Sequence, residues 1–161
     1  MPTRPIAITA TTLLLLACTV SRQPERANEP RGDTAAVAQA ARSFLADFDS
    51  LNWPGFVAHL SDSVDAYWPR PDTAERLRNR AAVETQYRAF FDRVRATRPG
   101  PPYLHLQVTD FDVRVFENVG LVTFQLADVP DTVGRRTLVF HRDPAGWRIV
   151  HLHASNLPLP H

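Results

Sequence analysis

Lysine is absent from this 161-residue chain, and all 18 basic side chains are arginine. Set against 17 acidic residues they leave a net charge of +1. A nucleic-acid partner is excluded, because phosphate binding needs a clustered basic excess. Cysteine occurs once, which rules out an internal disulfide, a four-cysteine zinc site and a CxxC redox pair. Only six glycines are present, with no glycine-rich phosphate loop and no Gly-x-Ser-x-Gly elbow to present a nucleophile. The one long apolar run, at the N-terminus, is shorter than the ~20 residues of a permanent membrane helix. What remains is 44% hydrophobic, enough for the core of one ordinary domain and too rich for a disordered chain.

The N-terminal run reads as an address. Arg4 precedes an apolar stretch that is densest at Leu13, Leu14, Leu15 and Leu16 and breaks at Ala17-Cys18. A basic start, a short apolar stretch and a small residue before the break describe a secretory signal. Leu15-Leu16-Ala17-Cys18 resembles a bacterial lipoprotein signal, in which the cysteine is lipidated and becomes the first mature residue. The alternative is an ordinary secretory signal with an incidental cysteine. Residues 1–17 are thus expected to be a signal peptide, and 18–33 a lipidated Cys18 and a flexible tether. That tether is nearly empty of large apolar groups and cannot offset its ordering entropy. The implied location is the bacterial cell envelope, with membrane contact through the lipid anchor only, or a soluble secreted or periplasmic form if Cys18 is unmodified.

From residue 34 the texture is helical, then extended. Asp33-Thr34 can cap a helix with Val37, Ala41, Phe44, Leu45, Phe48 and Leu51 on one face. Asn52 is expected to cap a short helix with Pro54 in its first turn, and Val64 to Trp68 suits a short strand. A third helix begins at Asn79, carries Val83, Tyr87, Phe90, Phe91 and Val94, and ends before Pro99-Gly100-Pro101-Pro102. Leu104 to Phe116, Gly120 to Ala127, Arg135 to Arg142 and Trp147 to Ser155 then read as strands, the last two joined by Asp143-Pro144-Ala145-Gly146. The expected fold is α+β: a cone-like, curved antiparallel sheet wrapped around N-terminal helices, covering residues 34–156, with 157–161 as a tail.

Strict alternation in the last strand puts Trp147, Ile149, His151, His153 and Ser155 on one face. If Arg142 pairs with Trp147, then Phe140 faces Ile149, Leu138 faces His151, and Arg136 faces His153. An apolar floor with a few convergent polar groups is what a small-molecule cavity needs. These same residues carry a resemblance. Arg136-Thr137-Leu138-Val139-Phe140-His141-Arg142 and Trp147-Arg148-Ile149-Val150-His151-Leu152-His153-Ala154-Ser155 resemble the end of the SnoaL-like domains of the nuclear transport factor 2-like superfamily. They are also similar to the calcium/calmodulin-dependent protein kinase II association domain, whose last strand has a tryptophan followed by His-x-His-x-Ser. Ala66-Tyr67-Trp68-Pro69 and Tyr87-Arg88-Ala89-Phe90-Phe91 fit the same families more loosely. The resemblance implies a deep pocket and a homodimer formed through the sheet. In the kinase association domain, pocket arginines bind carboxylates; the matching position here is Leu138, with Arg136 beside it.

Candidate ligand-binding residues are Tyr67, Tyr87, Arg136, His151 and His153. His151 and His153 are also the candidate catalytic residues, since imidazole titrates near neutrality. Pocket lining without chemistry is the competing role for both. As metal ligands they stand about 6.5 Å apart along a strand, close enough to share an ion. No third ligand has a supporting spacing, so neither a metal nor another cofactor is expected. Arg136 suits a carboxylate clamp or an ion pair with a neighbouring strand. His141 and His59 are expected at the surface, and Arg76, Arg78 and Arg80 in a solvated loop. Three functions fit: an envelope-anchored pocket for a small polar or anionic molecule, an isomerase or dehydratase using a pocket histidine, and a dimeric assembly domain. Intact-mass analysis of protein purified from bacterial membranes is expected to show residues 1–17 removed and Cys18 acylated; an unmodified Cys18 in an uncleaved chain would overturn the lipoprotein reading.

Overall fold

The computed structural model describes residues 30–69, 76–129 and 132–159. The expected signal segment, Cys18 and the tether up to residue 29 lie outside the described residues. Helix α1 (Pro30–Asp49) starts before Asp33, so Asp33 lies in the first turn, where its Oδ1 accepts from Arg142 Nη1 at 2.7 Å. The predicted apolar stripe faces inward: Val37, Ala41, Phe44 and Leu45 are buried and Phe48 is half-buried. In α2 (Trp53–Ala58) Pro54 occupies the first turn, where a missing N–H costs no hydrogen bond. Asn52, expected to cap it, makes no side-chain cap hydrogen bond; its Nδ2 donates to Asp47 Oδ1 at 2.7 Å. Helix α3 (Arg80–Thr97) is capped by Asn79, whose Oδ1 accepts from the Ala82 amide at 2.9 Å.

The strands are β1 (Leu60–Tyr67), β2 (Arg76–Leu77), β3 (Val108–Phe116), β4 (Val119–Val129), β5 (Thr132–Asp143) and β6 (Gly146–Pro158). They form one curved, unclosed sheet in the order β2-β1-β6-β5-β4-β3. Strands β3 to β6 are the predicted antiparallel meander, while β1 lies parallel to β6. A hairpin cannot make that parallel pair; the chain must travel through α3 and the whole meander before β6 reaches β1. β6 continues to Pro158, beyond the expected end of the strand.

The helices cover the inner face of this sheet. Phe56 is fully buried and its ring lies 4.8–6.0 Å from those of Phe44, Phe48, Trp53, Tyr87 and Phe91. One short helix thus joins α1 to α3 through aromatic packing. Gly120 permits the close approach of α1 to β4, since a Cβ there would sit 2.8 Å from both Val37 methyl groups. Phe56→Ala is expected to cost about 3–5 kcal/mol, and Asn79→Ala about 1 kcal/mol, both read from urea unfolding midpoints.

Candidate functional site

Between the inner face of the sheet and the helices lies a cavity of about 580 Å³, within the usual range for small-molecule sites. Phe48, Trp68, Phe90, Leu104, Leu106 and Leu126 form its apolar wall. The polar groups are Tyr87, Asn156 and three arginines, with no carboxylate among the described lining residues. Arg93 and Arg98 are exposed at the C-terminal end of α3, where they edge the cavity, and Arg136 enters it from β5. A narrow extension of about 40 Å³ continues between Phe44, Leu45, Phe124, Leu138 and Leu152.

Arg136 is held in place by backbone and side-chain acceptors. Its Nη1 donates to the Arg135 and Ser155 carbonyls, each at 2.9 Å, and its Nη2 to Asn156 Oδ1 at 3.1 Å. Gly134, two residues back on the same face, leaves room for this guanidinium: a Cβ there would lie 2.9 Å from Nη2. Tyr87 is buried at 6% exposure, and its hydroxyl makes no hydrogen bond to the described residues. Burial pushes its phenol above the usual value of 10, against a smaller opposing pull from the Arg136 charge. Tyr87 is therefore a neutral donor at physiological pH, facing the same space as a fixed cation.

The histidines lie elsewhere. Arg142 pairs with Trp147 and Phe140 with Ile149, as the hairpin spacing predicts. The next pair is Val139 with His151, so Val150 is an extra residue and the strand carries a β-bulge. Beyond it parity inverts: Leu138 faces Leu152, Thr137 faces His153, and Arg136 faces Ala154. The expectation that Arg136, His151, His153 and Ser155 share one face is thereby corrected. Arg136 is inside; His151, His153 and Ser155 are on the outer face with Asp65 and Tyr67 of β1. His153 borders the narrow extension by its place between Leu152 and Ala154, while its exposed ring lies 5.7 Å from the Tyr67 ring.

On that outer face Asp65 joins three strands. His151 Nδ1 meets one carboxylate oxygen and Arg76 Nη2 the other. The Tyr67 ring stands 6.0 Å from that of His151, and the Arg76 guanidinium lies 5.7 Å from the Tyr67 ring centre. Among the described residues no group of three or more histidine, cysteine or acidic side chains is placed to hold a metal ion.

A profile of the SnoaL-like domain matches residues 37–160. The chain belongs to the SnoaL-like domain family. No curated protein sequence matches it. Among solved structures the chain is similar to a proposed dehydratase of the NTF2-like family from Streptomyces avermitilis, at 20% identity and a TM-score of 0.67, covering 80% of this chain and 99% of that one. It is similar to a proposed ketosteroid isomerase from Parabacteroides distasonis, at 21% identity and a TM-score of 0.57, covering 84% and 92%. A proposed calcium/calmodulin-dependent protein kinase type II association domain from Thiobacillus denitrificans is 26% identical, with a TM-score of 0.56 and coverage of 76% and 94%.

In this SnoaL-like domain two further surface expectations are corrected. His59 is half-buried, with Nε2 at 2.9 Å from Asp47 Oδ2, and links the end of α2 to α1. Of the basic run only Arg78 is exposed; Arg80 donates to the Leu60 and Val57 carbonyls and pairs with Glu84 and Asp62. His141 is exposed as expected, with Nε2 at 3.0 Å from Asn118 Nδ2. Arg93, Arg98 and Asn156 are the polar cavity residues that sequence reasoning missed, and only the arginines left a signal. For Arg93 and Arg98 that signal is helical spacing, three residues after Phe90 and four after Val94, beside the apolar stripe of α3.

Burial alone would raise the Asp65 carboxyl, but the hydrogen bonds and charges of His151 and Arg76 outweigh it and hold the group below its usual 3.8. A carboxyl depressed in the folded state contributes stability above its unfolded value, and loses it as pH falls through the folded value. Between pH 7 and pH values below 4, wild type is therefore expected to lose more stability than Asp65→Asn, measured as the shift in urea midpoint.

Proposed function

We propose that this SnoaL-like domain is an envelope-anchored binding domain for a small anion with an apolar body. The observation that carries the reading is the make-up of the cavity: an apolar wall facing three guanidiniums and a neutral phenol, with no carboxylate in its described lining. Guanidinium groups present parallel donors that match a carboxylate, and an anion met by them is drawn inward without proton exchange. The lipidated Cys18 and the tether of the sequence reading supply the anchor.

An isomerase or dehydratase reading, prompted by the names of two structural neighbours, needs a base within reach of the ligand. His151 stands on the opposite face with Asp65, and the described cavity lining holds no carboxylate and one imidazole, His153, which borders only the narrow extension. This favours binding over proton transfer. Dimer formation through the β3 side of the outer sheet face, at the edge remote from β1 and β2, is compatible with either role. Its support is the exposed Phe116, at 59%, and the likeness to a kinase association domain.

Phenylacetate is a suitable probe, with phenylacetamide as its uncharged counterpart. By isothermal titration calorimetry the acid is expected to bind at least tenfold more tightly than the amide, and Arg136→Gln to remove that preference. Arg93→Gln and Arg98→Gln, both at exposed positions, are expected to weaken the acid less. Equal binding of acid and amide, or no binding of either, would overturn the proposal.

A further inference from the structure

We infer that His151 and His153 form a chelating site for copper(II) on the outer face of the sheet, independent of the cavity. The bulge at Val150 sets both imidazoles on that face, two residues apart, where His151 is half-buried and His153 exposed. Residues so spaced stand about 6.5 Å apart along the strand, a gap that two metal–nitrogen bonds of ~2.0 Å bridge when the rings tilt together.

The second observation concerns tautomer. His151 Nδ1 is committed to Asp65, and the other oxygen of that carboxylate is held by Arg76. This leaves Nε2 as the lone-pair nitrogen and fixes the ring's orientation, the second-shell arrangement that metal-binding histidines use. His153 makes no hydrogen bond to the described residues, so a ring nitrogen is available for an ion. Tyr67 stands beside both rings, at 6.0 and 5.7 Å, and walls the site on the β1 side.

Two imidazoles with no third protein ligand do not build the closed tetrahedral site of structural zinc. They leave open positions for water in a tetragonal nitrogen–oxygen field, the geometry of copper(II), which also binds such donors most tightly among the divalent first-row metals.

Copper(II) chloride added to the full chain carrying Cys18→Ser, in a non-coordinating buffer at pH 7.5, tests the site. Calorimetry is expected to show one micromolar site, and electron paramagnetic resonance two equatorial imidazole nitrogens. His151→Ala and His153→Ala should each weaken binding at least tenfold and leave one nitrogen. Asp65→Asn should weaken it by about tenfold with both nitrogens retained. His141→Ala, on the same face but in β5, should change nothing. His153 is exposed, so its variant tests the site even if Asp65→Asn proves unstable. Affinity within twofold of wild type in His153→Ala, or no micromolar binding at all, would overturn the assignment. Neither result touches the phenylacetate test, which concerns the opposite face.

Discussion

Val150 has no partner across the β5–β6 ladder. Phe140 pairs with Ile149 and Val139 with His151, so one residue of the last strand is surplus to the pairing. Because side chains in a strand alternate with period two, one surplus residue exchanges the two faces for everything that follows. Before it, Trp147 and Ile149 pack inward; after it Leu152 and Ala154 do, and His151 and His153 turn outward. The composition of the cavity and of the outer cluster both follow from this one feature of the register.

The cavity depends on a second constraint, the aromatic seam between helices. Phe56 is in ring contact with both long helices, and Trp68 extends the seam to the cavity with its ring 4.8 Å from Tyr87 and 5.6 Å from Phe90. Aromatic pairs at such distances contribute about 0.5–1.5 kcal/mol each beyond their buried area. Several such pairs hold α1, α2 and α3 as one lid over the sheet. Tyr87 belongs to the seam by its ring and to the cavity by its hydroxyl, so the group that packs the helices also supplies a polar contact.

Two chemical regions therefore lie on opposite sides of the same strands. Inside, positive charge meets apolar surface, and the titratable phenol is kept neutral by burial. Outside, a carboxylate bridges a guanidinium and an imidazole across β2, β1 and β6. The inner cavity has donors without a carboxylate in its described lining, and the outer pair of Asp65 and His151 does not border that lining. That separation is what supports the proposed binding role over acid–base turnover.

The sequence by itself determined the helices, the meander and the family. Apolar residues at three- and four-residue spacing bury themselves wherever α1 and α3 are placed, and the Asn79 cap acts on its own first turn. Trp147 to Ser155, together with Arg136 to Arg142, carried the family likeness without any knowledge of register. Tyr87 and Arg136 were legible as pocket residues; Arg93 and Arg98 were not, because an exposed arginine on a helix looks the same whether or not a cavity opens beside it. The tertiary structure alone decided the side on which His151 and His153 stand. Alternation is local, but a bulge is fixed by pairing with two neighbouring strands, one of which, β1, lies more than eighty residues earlier in the chain, and no short stretch of sequence contains that information.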